Sequence, residues 1–166
     1  IKYNFLDQKQ FELSIIKNKN IFRETDLLIV AIAEQGQIKN FFRQDIKKFM
    51  KTFYVNFFFY VLLFRCLHKI LKNKKKMLII LFSGGGSTSF RENFSAYSLT
   101  KVCLVKLTEI MSQEVKNKNI RFNILSPGII KSNMTNRIFK QKNNVLKQEI
   151  NKINKNLKFS ENNIIK

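Results

Sequence analysis

The sequence predicts an α/β fold with a doubly wound parallel sheet. Short apolar runs lie at residues 26–33, 77–82 and 120–126, and helical patterns separate them. Runs without polar alternation are typical of strands buried on both faces, as in a parallel sheet. The order strand, helix, strand, helix, strand implies right-handed crossovers between parallel strands.

The first connection predicts a long helix over residues 45–71. Its apolar residues recur at helical spacing, and they are Ile46, Phe49, Met50, Phe53, Phe57, Tyr60, Val61, Phe64 and Leu67. The other side of the helix is apolar as well, and carries Phe58, Phe59, Leu62 and Leu63. A helix that is apolar all round is buried on both sides, so it meets either another helix of the same chain or a second subunit.

The second connection predicts a helix over residues 96–116. Its stripe consists of Tyr97, Lys101, Leu104, Thr108, Met111 and Val115. The two predicted helices together offer a surface for a homo-oligomer. From Arg137 onward the chain is polar and basic, so we expect one partial domain over residues 1–166 that ends in a helical segment or lid at 137–166.

Charge alone does not define a partner. The 31 lysines and arginines against 11 acidic residues give a formal net charge of +20, which is typical of binding to nucleic acid or anionic membranes. The basic residues are scattered along the chain, however, and residues encoded by A/T-rich codons are abundant throughout. A biased genome explains this composition, so we expect neither nucleic acid nor a membrane as a partner.

Nothing in the sequence predicts a membrane span, an export signal or a metal site. The longest apolar run, residues 52–64, is interrupted by Asn56 and is shorter than the roughly 20 residues that cross a bilayer. The first residues lack the apolar core of a signal peptide, which favours the cytoplasm. Cys66 and Cys103 have no partner at metal-ligand spacing, so we expect two reduced thiols.

Tyr97 and Lys101 stand four residues apart on the second predicted helix, so both lie on one face. A tyrosine with its ordinary pKa of about 10 transfers protons poorly at neutral pH. An adjacent ammonium favours the phenolate and lowers that pKa. The pair therefore predicts an acid/base site on this helix.

Other motifs around this pair make residues 7–134 resemble the short-chain dehydrogenase/reductase family. The motifs are Asp7, Asp26–Ile29 followed by Gly36, Asn56, Ser83–Ser87, Asn93–Lys101 and Pro127–Met134. The resemblance implies that Tyr97 is the general acid/base at a carbonyl or alcohol. It implies that Lys101 lowers the pKa of Tyr97 and binds the nicotinamide ribose, and that Asn56 holds a water that feeds protons.

This resemblance does not assign the active-site serine to a single residue. In the family it precedes the tyrosine by thirteen residues, a count that lands on Gly84 here. Ser83 is our candidate for the hydroxyl that orients the substrate oxygen, and Ser87 is the second. The alternative is that the glycines and serines only turn the chain out of the strand.

The resemblance also implies NAD or NADP as cofactor. Asp7 would lie near the adenine ring, and Pro127, Gly128 and Ser132 would contact the nicotinamide, with Ser132 where threonine is usual. The sequence departs from the family at Val30–Ala33, where Asn-Asn-Ala-Gly is usual. Branched apolar residues there hinder close approach of the backbone to a cofactor.

A dinucleotide site needs a glycine-rich turn after the first strand. The only glycine cluster, Gly84–Gly86, instead follows the strand at 77–82. We therefore expect a partial Rossmann-like sheet truncated at both ends, whose first two strands would lie between those at 1–6 and 27–33. Unpaired strand edges would then make the chain unstable, prone to aggregation and weak in cofactor binding.

Three functions follow from these observations, in order of preference. The first is an NAD(P)-dependent oxidoreductase that acts on a small carbonyl or alcohol substrate. The second is an inactive remnant or pseudoenzyme that acts only through its phenylalanine-rich helix. The third is a basic nucleic-acid-binding module, although no recognition motif is present.

Overall fold

The computed structural model describes residues 7–115, 119–127, 132–134, 136, 151 and 154. The chain forms two compact units, Ile1–Ser126 and Pro127–Lys166. In the second unit the backbone N–H of Asn136 donates to the carbonyl of Ser132 at 2.9 Å. The strand predicted at 1–6 lies outside the described residues, as does the segment predicted at 137–166 apart from two single positions.

The first unit contains a sheet of three parallel strands in the order β1-β2-β3. The strands are β1 (Leu27–Val30), β2 (Met77–Phe82) and β3 (Ile120–Leu125). Leu28 pairs with Ile79, and Ile79 pairs with Phe122. The predicted α/β fold with a parallel sheet is confirmed.

Helices connect the strands and precede the first of them. They are α1 (Gln8–Lys17), α2 (Lys19–Glu24), α3 (Ile46–Phe53), α4 (Phe59–Lys72) and α5 (Ser95–Glu114). A π-helical turn, Tyr54–Phe58, joins α3 to α4, and single 3₁₀ turns lie at Phe41–Arg43 and Gly85–Ser87. The two long predicted helices are present, whereas α1 and α2 lie in a segment to which the sequence analysis assigned no helix.

The core lies on one face of the sheet. The buried strand residues alternate along the chain, and they are Val30, Met77, Ile79, Leu81, Ile120 and Phe122. Helices α1, α4 and α5 supply the side chains that cover them. Aromatic pairs join these layers, with ring centres 5.5 Å apart for Phe64 and Phe122 and 5.4 Å apart for Phe11 and Phe59.

The other face is open among the described residues. Leu27 and Ile29 of β1 and Leu125 of β3 are all exposed on it. The expectation that the apolar runs are buried on both faces therefore does not hold in the described part of the chain. The runs lack polar alternation, yet only every second side chain is covered by a helix.

The continuous helical segment Ile46–Lys72 is longer than the apolar run that the sequence analysis considered. Its length of 27 residues and a mean hydropathy of 1.3 over an 18-residue window would suffice, by length and composition, to cross a membrane. In the structure, Tyr60 and Leu67 of this segment are fully buried in the protein core. A buried core helix meets the same criteria, so the segment is weak support for a membrane span.

Candidate active site

Tyr97 lies at the edge of the sheet where the parallel strands end, which is where sites form in open α/β sheets. Strand β2 ends at Phe82, and Tyr97 is in the first turn of α5. Lys101 follows one turn later, and its Nζ atom lies 5.6 Å from the centre of the Tyr97 ring. The helix therefore brings the two predicted catalytic residues together.

Lys101 is held in the interior beneath the phenol ring. The residue is only 2% exposed, and its ammonium donates a hydrogen bond of 2.9 Å to the carbonyl of Phe82. Burial lowers the pKa of Lys101 to about 8 because a charged amine loses its hydration there. An ammonium has three donors, so two remain for a ligand after the bond to Phe82.

Burial and a neighbouring cation act in opposite directions on the pKa of Tyr97. Burial raises the pKa of the phenol above its ordinary value, and the guanidinium of Arg91 partly offsets this effect. The carbon atom of that guanidinium lies 5.7 Å from the centre of the Tyr97 ring. Arg91 is thus a cation that favours the phenolate, and the predicted effect of Lys101 on the pKa of Tyr97 stays a prediction.

Arg91 was missed because its contact with Tyr97 depends on a loop turn. Helical spacing relates Tyr97 to Lys101, but no periodicity relates it to a residue before the helix. The sequence feature that could have identified Arg91 is a basic residue just before the start of α5 and near the aromatic residue Phe94.

Gly84, and not Ser83, lies against the phenol. A Cβ atom at Gly84 would be 2.6 Å from the Tyr97 hydroxyl oxygen. The N–H of Ser83 donates to the Leu125 carbonyl at 2.8 Å, so the strand pleat continues beyond β2. Side chains alternate along a strand, and Ser83 continues the buried positions that include Leu81. Ser83 is buried, and its predicted role stays a prediction.

Ser87, the second candidate, belongs to the turn that follows. Its hydroxyl donates a hydrogen bond of 2.8 Å to the carbonyl of Gly84. This bond uses the hydroxyl proton and leaves the oxygen lone pairs for another donor. Ser87 thus stabilises the turn after β2, which is the alternative role that the sequence analysis gave for these serines.

A side chain at Gly84 is expected to displace the phenol. Gly84→Ala places a methyl group on the Tyr97 hydroxyl, so we expect loss of activity and a cost of about 1–3 kcal/mol from overpacking. Thermal unfolding and turnover measure the two effects. Gly85→Ala is the matched control, because a Cβ there meets nothing within 4 Å. Equal behaviour of the two variants would contradict the placement of Tyr97.

Asn56 is fully buried in the π-helical turn. Its side-chain oxygen accepts from the N–H of Glu34 at 2.7 Å, and its amide nitrogen donates to the carbonyl of Glu34 at 2.8 Å. The same nitrogen donates to the Thr100 hydroxyl at 3.2 Å. Both amide protons are therefore used, and the side chain fastens the loop after β1 to α5. The relay role predicted for Asn56 stays a prediction.

Side chains of α3 and α4 hold the loop after β1 in place. The hydroxyl of Tyr60 donates to the carbonyl of Ile32 at 2.6 Å, and burial raises the pKa of Tyr60 to about 12. Thr52 donates to the Glu34 carboxylate at 2.9 Å. Gly36 has a φ of 69° and packs against Thr52, a position that requires glycine. These contacts end the strand at Val30, three residues before the predicted end of the run at 33.

Two loops meet beside Tyr97. The N–H of Lys39 donates to the carbonyl of Asn93 at 3.0 Å, and the amide of Gln44 donates to the Ser95 hydroxyl at 2.7 Å. The loops that follow β1 and β2 are therefore tied together at the carboxyl edge of the sheet.

The predicted cofactor residues fall in different parts of the chain. The Asp7 side chain accepts from the N–H of Gln10 at 3.0 Å and caps α1. Pro127 and Ser132 belong to the second compact unit, and Gly128 lies outside the described residues. Their predicted roles stay predictions.

The described residues contain no group of three His, Cys, Asp or Glu side chains able to hold a metal ion. Cys66 and Cys103 are free thiols, each partly buried. Burial raises the pKa of the Cys66 thiol, and Glu12 adds to this effect. A raised pKa keeps that thiol protonated and weakly reactive.

A parallel α/β sheet with a Tyr–Lys helix at its carboxyl edge is typical of the class of nicotinamide-dependent dehydrogenases. The family model described as short chain dehydrogenase matches residues 1–143 of the 166 residues. The chain belongs to the short-chain dehydrogenase family. Curated proteins gave no match.

Solved structures of this family share the fold. Aldohexose dehydrogenase from Thermoplasma acidophilum has a TM-score of 0.77 at 16% identity, over 86% of this chain and 55% of that one. A short-chain dehydrogenase from Streptomyces avermitilis has a TM-score of 0.71 at 22% identity, over 81% and 49%. One from Shigella flexneri, solved with NADP, has a TM-score of 0.70 at 16% identity, over 86% and 58%. The chain thus spans about half the length of these proteins.

Proposed function

We propose that this protein is an NAD(P)-dependent oxidoreductase that transfers hydride to or from a small carbonyl or alcohol. The observation that carries this proposal is the Tyr97 phenol at the carboxyl edge of the sheet, stacked on the buried ammonium of Lys101. Membership of the short-chain dehydrogenase family supports the same reaction class.

The buried ammonium fits a nicotinamide nucleotide. Lys101 is fixed by its bond to Phe82 and keeps two donors, which suit the vicinal hydroxyls of the nicotinamide ribose. When bound, the nicotinamide supplies or takes the hydride. NAD and NADP both remain within the proposal, and the NADP complex from Shigella flexneri supports a cofactor of this kind.

Tyr97 is the group that gives a proton to the substrate oxygen or takes one from it. In the reducing direction the phenol donates its proton to the carbonyl oxygen as hydride reaches the carbonyl carbon, which leaves an alcohol and a phenolate. In the oxidising direction the phenolate takes the alcohol proton. The Arg91 guanidinium stabilises the phenolate, which offsets the burial that raises the pKa of Tyr97.

A serine hydroxyl completes the proposed site by orienting the substrate oxygen. Of the two predicted serines, the geometry favours Ser87, because its hydroxyl is bonded to Gly84 next to the phenol. Ser83 lies on the face that packs into the core. Asp7, Pro127, Gly128 and Ser132 keep their proposed cofactor contacts through the family resemblance.

The second candidate function is that of an inactive family member that binds a partner. Two observations favour it: Gly84 has no hydroxyl beside the phenol, and burial raises the pKa of Tyr97. Activity distinguishes the candidates. The protein is purified in the form that its native cell produces. It is then screened for oxidation of NADH and NADPH with a panel of small aldehydes and ketones. Turnover supports the oxidoreductase, and its absence with both cofactors across the panel contradicts it.

We also propose a homo-oligomer through the helices predicted at 45–71 and 96–116, and a cytoplasmic location. Apolar side chains on the outer side of α5 are 44–46% exposed, namely Leu99, Val102 and Ile110. Their spacing keeps them on one face of the helix, and Phe58, the last residue of the π-helical turn before α4, is similarly exposed.

Charge on this face is expected to separate the subunits. Val102→Glu combined with Ile110→Glu buries two carboxylates at the proposed contact, so the dissociation constant should rise at least about tenfold. Light scattering coupled to size exclusion measures the mass. Leu13→Glu is the control, because Leu13 is an exposed apolar residue on α1. A monomeric wild type, or an oligomer unaffected by the double change, would overturn this proposal.

A further inference from the structure

A cavity of about 500 Å³ lies between α4, α5 and β3. Near the start of α5, Asn56 joins the π-helical turn to Thr100, but further along the two helices leave a gap. This volume lies within the range of about 300–1,000 Å³ in which proteins bind small molecules. The wall consists mainly of apolar side chains, and six of them are Val61, Phe64, Leu71, Leu107, Met111 and Phe122.

The floor of the cavity is part of the hydrophobic core. Phe64, Leu71 and Phe122 are buried, and the rings of Phe64 and Phe122 meet edge to face with their centres 5.5 Å apart. Protein interiors are close-packed, so a gap beside such residues leaves them without contacts on one side. An apolar ligand in the cavity would supply those contacts.

The helical wall restricts the ligand to a mostly apolar molecule. Residues 61–68 and 107–110 lie within α4 and α5, where backbone N–H and carbonyl groups are bonded along the helix. The wall therefore offers few hydrogen-bonding groups to a ligand. A sugar or a nucleotide would lose the hydration of its polar groups there without replacement, whereas a hydrocarbon chain has no such groups to lose.

Polar side chains lie at the rim of the cavity. Arg65 and His68 are exposed and lie three residues apart on α4, so they share one face of the helix and both offer N–H donors. Glu114 in the last turn of α5 also belongs to the lining. Among the described residues, Arg65 forms no ion pair with Glu114 or with another acidic group. A guanidinium without a protein carboxylate is suited to the carboxylate of a ligand.

We propose that this cavity binds the hydrocarbon chain of a medium-chain carboxylate, whose charged end contacts the Arg65 guanidinium. The lining extends from Val61 to Leu71, about 15 Å along α4 at the helical rise, which suits an extended chain of medium length. The site is independent of the proposed oxidoreductase function, because Met111 lies about 21 Å beyond Tyr97 along α5.

Equilibrium dialysis of the purified protein against hexanoate, octanoate and decanoate measures the proposed affinity. The dissociation constant should fall about tenfold from octanoate to decanoate, because two more methylene groups leave water. Decanol, the matched neutral probe, should bind about tenfold more weakly than decanoate, since it lacks the charge-assisted hydrogen bond. Equal affinities for the three acids, or no saturable binding of decanoate, would overturn the proposal.

Two pairs of variants assign the binding to the cavity. Ile110→Trp places an indole at the rim, where Ile110 is 44% exposed, so decanoate binding should be lost without strain in the core. Val102→Trp is its control, because Val102 is 46% exposed on the same helix but outside the lining.

The second pair tests the charged end. Arg65→Gln should weaken decanoate binding about tenfold and leave decanol binding unchanged. Lys69→Gln, an exposed position of α4 outside the lining, should change neither. Equal effects of a variant and its control would show adsorption to the apolar surface and contradict the site.

A second copy of this chain is the competing occupant, since Ile110 also belongs to the face proposed for the homo-oligomer. In that case the wild type shows no saturable binding of decanoate, and Ile110→Trp lowers the mass found by light scattering coupled to size exclusion. This outcome would overturn the carboxylate site and leave the oxidoreductase function to its own assay. Saturable binding that Ile110→Trp abolishes supports the site even where no turnover is found.

Discussion

Replacement of Tyr97 by phenylalanine is expected to lower kcat for nicotinamide-dependent carbonyl reduction by about 10²- to 10⁴-fold, the range that general acid catalysis contributes. The change removes only the hydroxyl that gives the proton. It leaves the ring, which packs beside Arg91 and Lys101. The hydroxyl lies beside Gly84, which has no side chain for it to pack against, so the fold is expected to stay intact.

The measurement is the rate of cofactor oxidation at saturating substrate, with circular dichroism as the check on folding. Tyr54→Phe is the matched control, since it removes the hydroxyl of a tyrosine in the π-helical turn to which the proposed mechanism gives no role. The control should keep wild-type activity. Equal rates for wild type and Tyr97→Phe would remove Tyr97 from the chemistry.

Asn56→Leu is expected to lower the free energy of unfolding by about 2–4 kcal/mol. The change deletes three hydrogen bonds and leaves the N–H and carbonyl of Glu34 without their partner. Each buried polar group left unsatisfied costs about 1–3 kcal/mol. The loop after β1 should also become more mobile, because Asn56 is one of the side chains, with Thr52 and Tyr60, that fasten it to the helices.

Urea unfolding with the slope held constant measures this loss. Asn123→Leu is the control, because Asn123 is exposed on β3. A cost below about 0.5 kcal/mol for Asn56→Leu, the range of an ordinary surface change, would contradict the structural role assigned to Asn56.

The fold was predictable where local pattern and tertiary structure agree. The bounds of β2 were predicted correctly because its apolar run ends at the polar loop that begins with Ser83. The first strand was predicted too long, since the apolar residues 31–33 continue the run although Tyr60 and Asn56 hold that part as a loop. Those partners are distant in sequence, so no local pattern revealed them.

The N-terminal helices show a second limit of local reasoning. The sequence analysis interpreted Asp7 only through the family resemblance, as a cofactor residue, and did not predict that it caps α1. The cofactor role of Asp7 stays a prediction. Only Phe11 and Ile15 of that helix are buried apolar residues. Such a sparse stripe gives a weak helical period, and α1 is stabilised by packing on α4.

The candidate site was predictable to the extent that helical period fixes it. Tyr97 and Lys101 meet because a helix places residues four apart on one face. No sequence period places Gly84 against Tyr97, because this contact forms in the loop beyond the end of β2 at Phe82. Arg91 depends on stacking over Phe94 and on the turn at Asn93, which no sequence period encodes.

The central claim is that this chain supports hydride transfer with Tyr97 as the proton donor. The most direct measurement is the transfer of deuterium from a reduced nicotinamide, labelled at the hydride position, to the product. Mass spectrometry should find the label on the carbon of the new alcohol for the wild type and Tyr54→Phe, and Tyr97→Phe should form the labelled product about 10²- to 10⁴-fold more slowly. Unlabelled product from the wild type, or formation of labelled product by Tyr97→Phe at the wild-type rate, would contradict the claim.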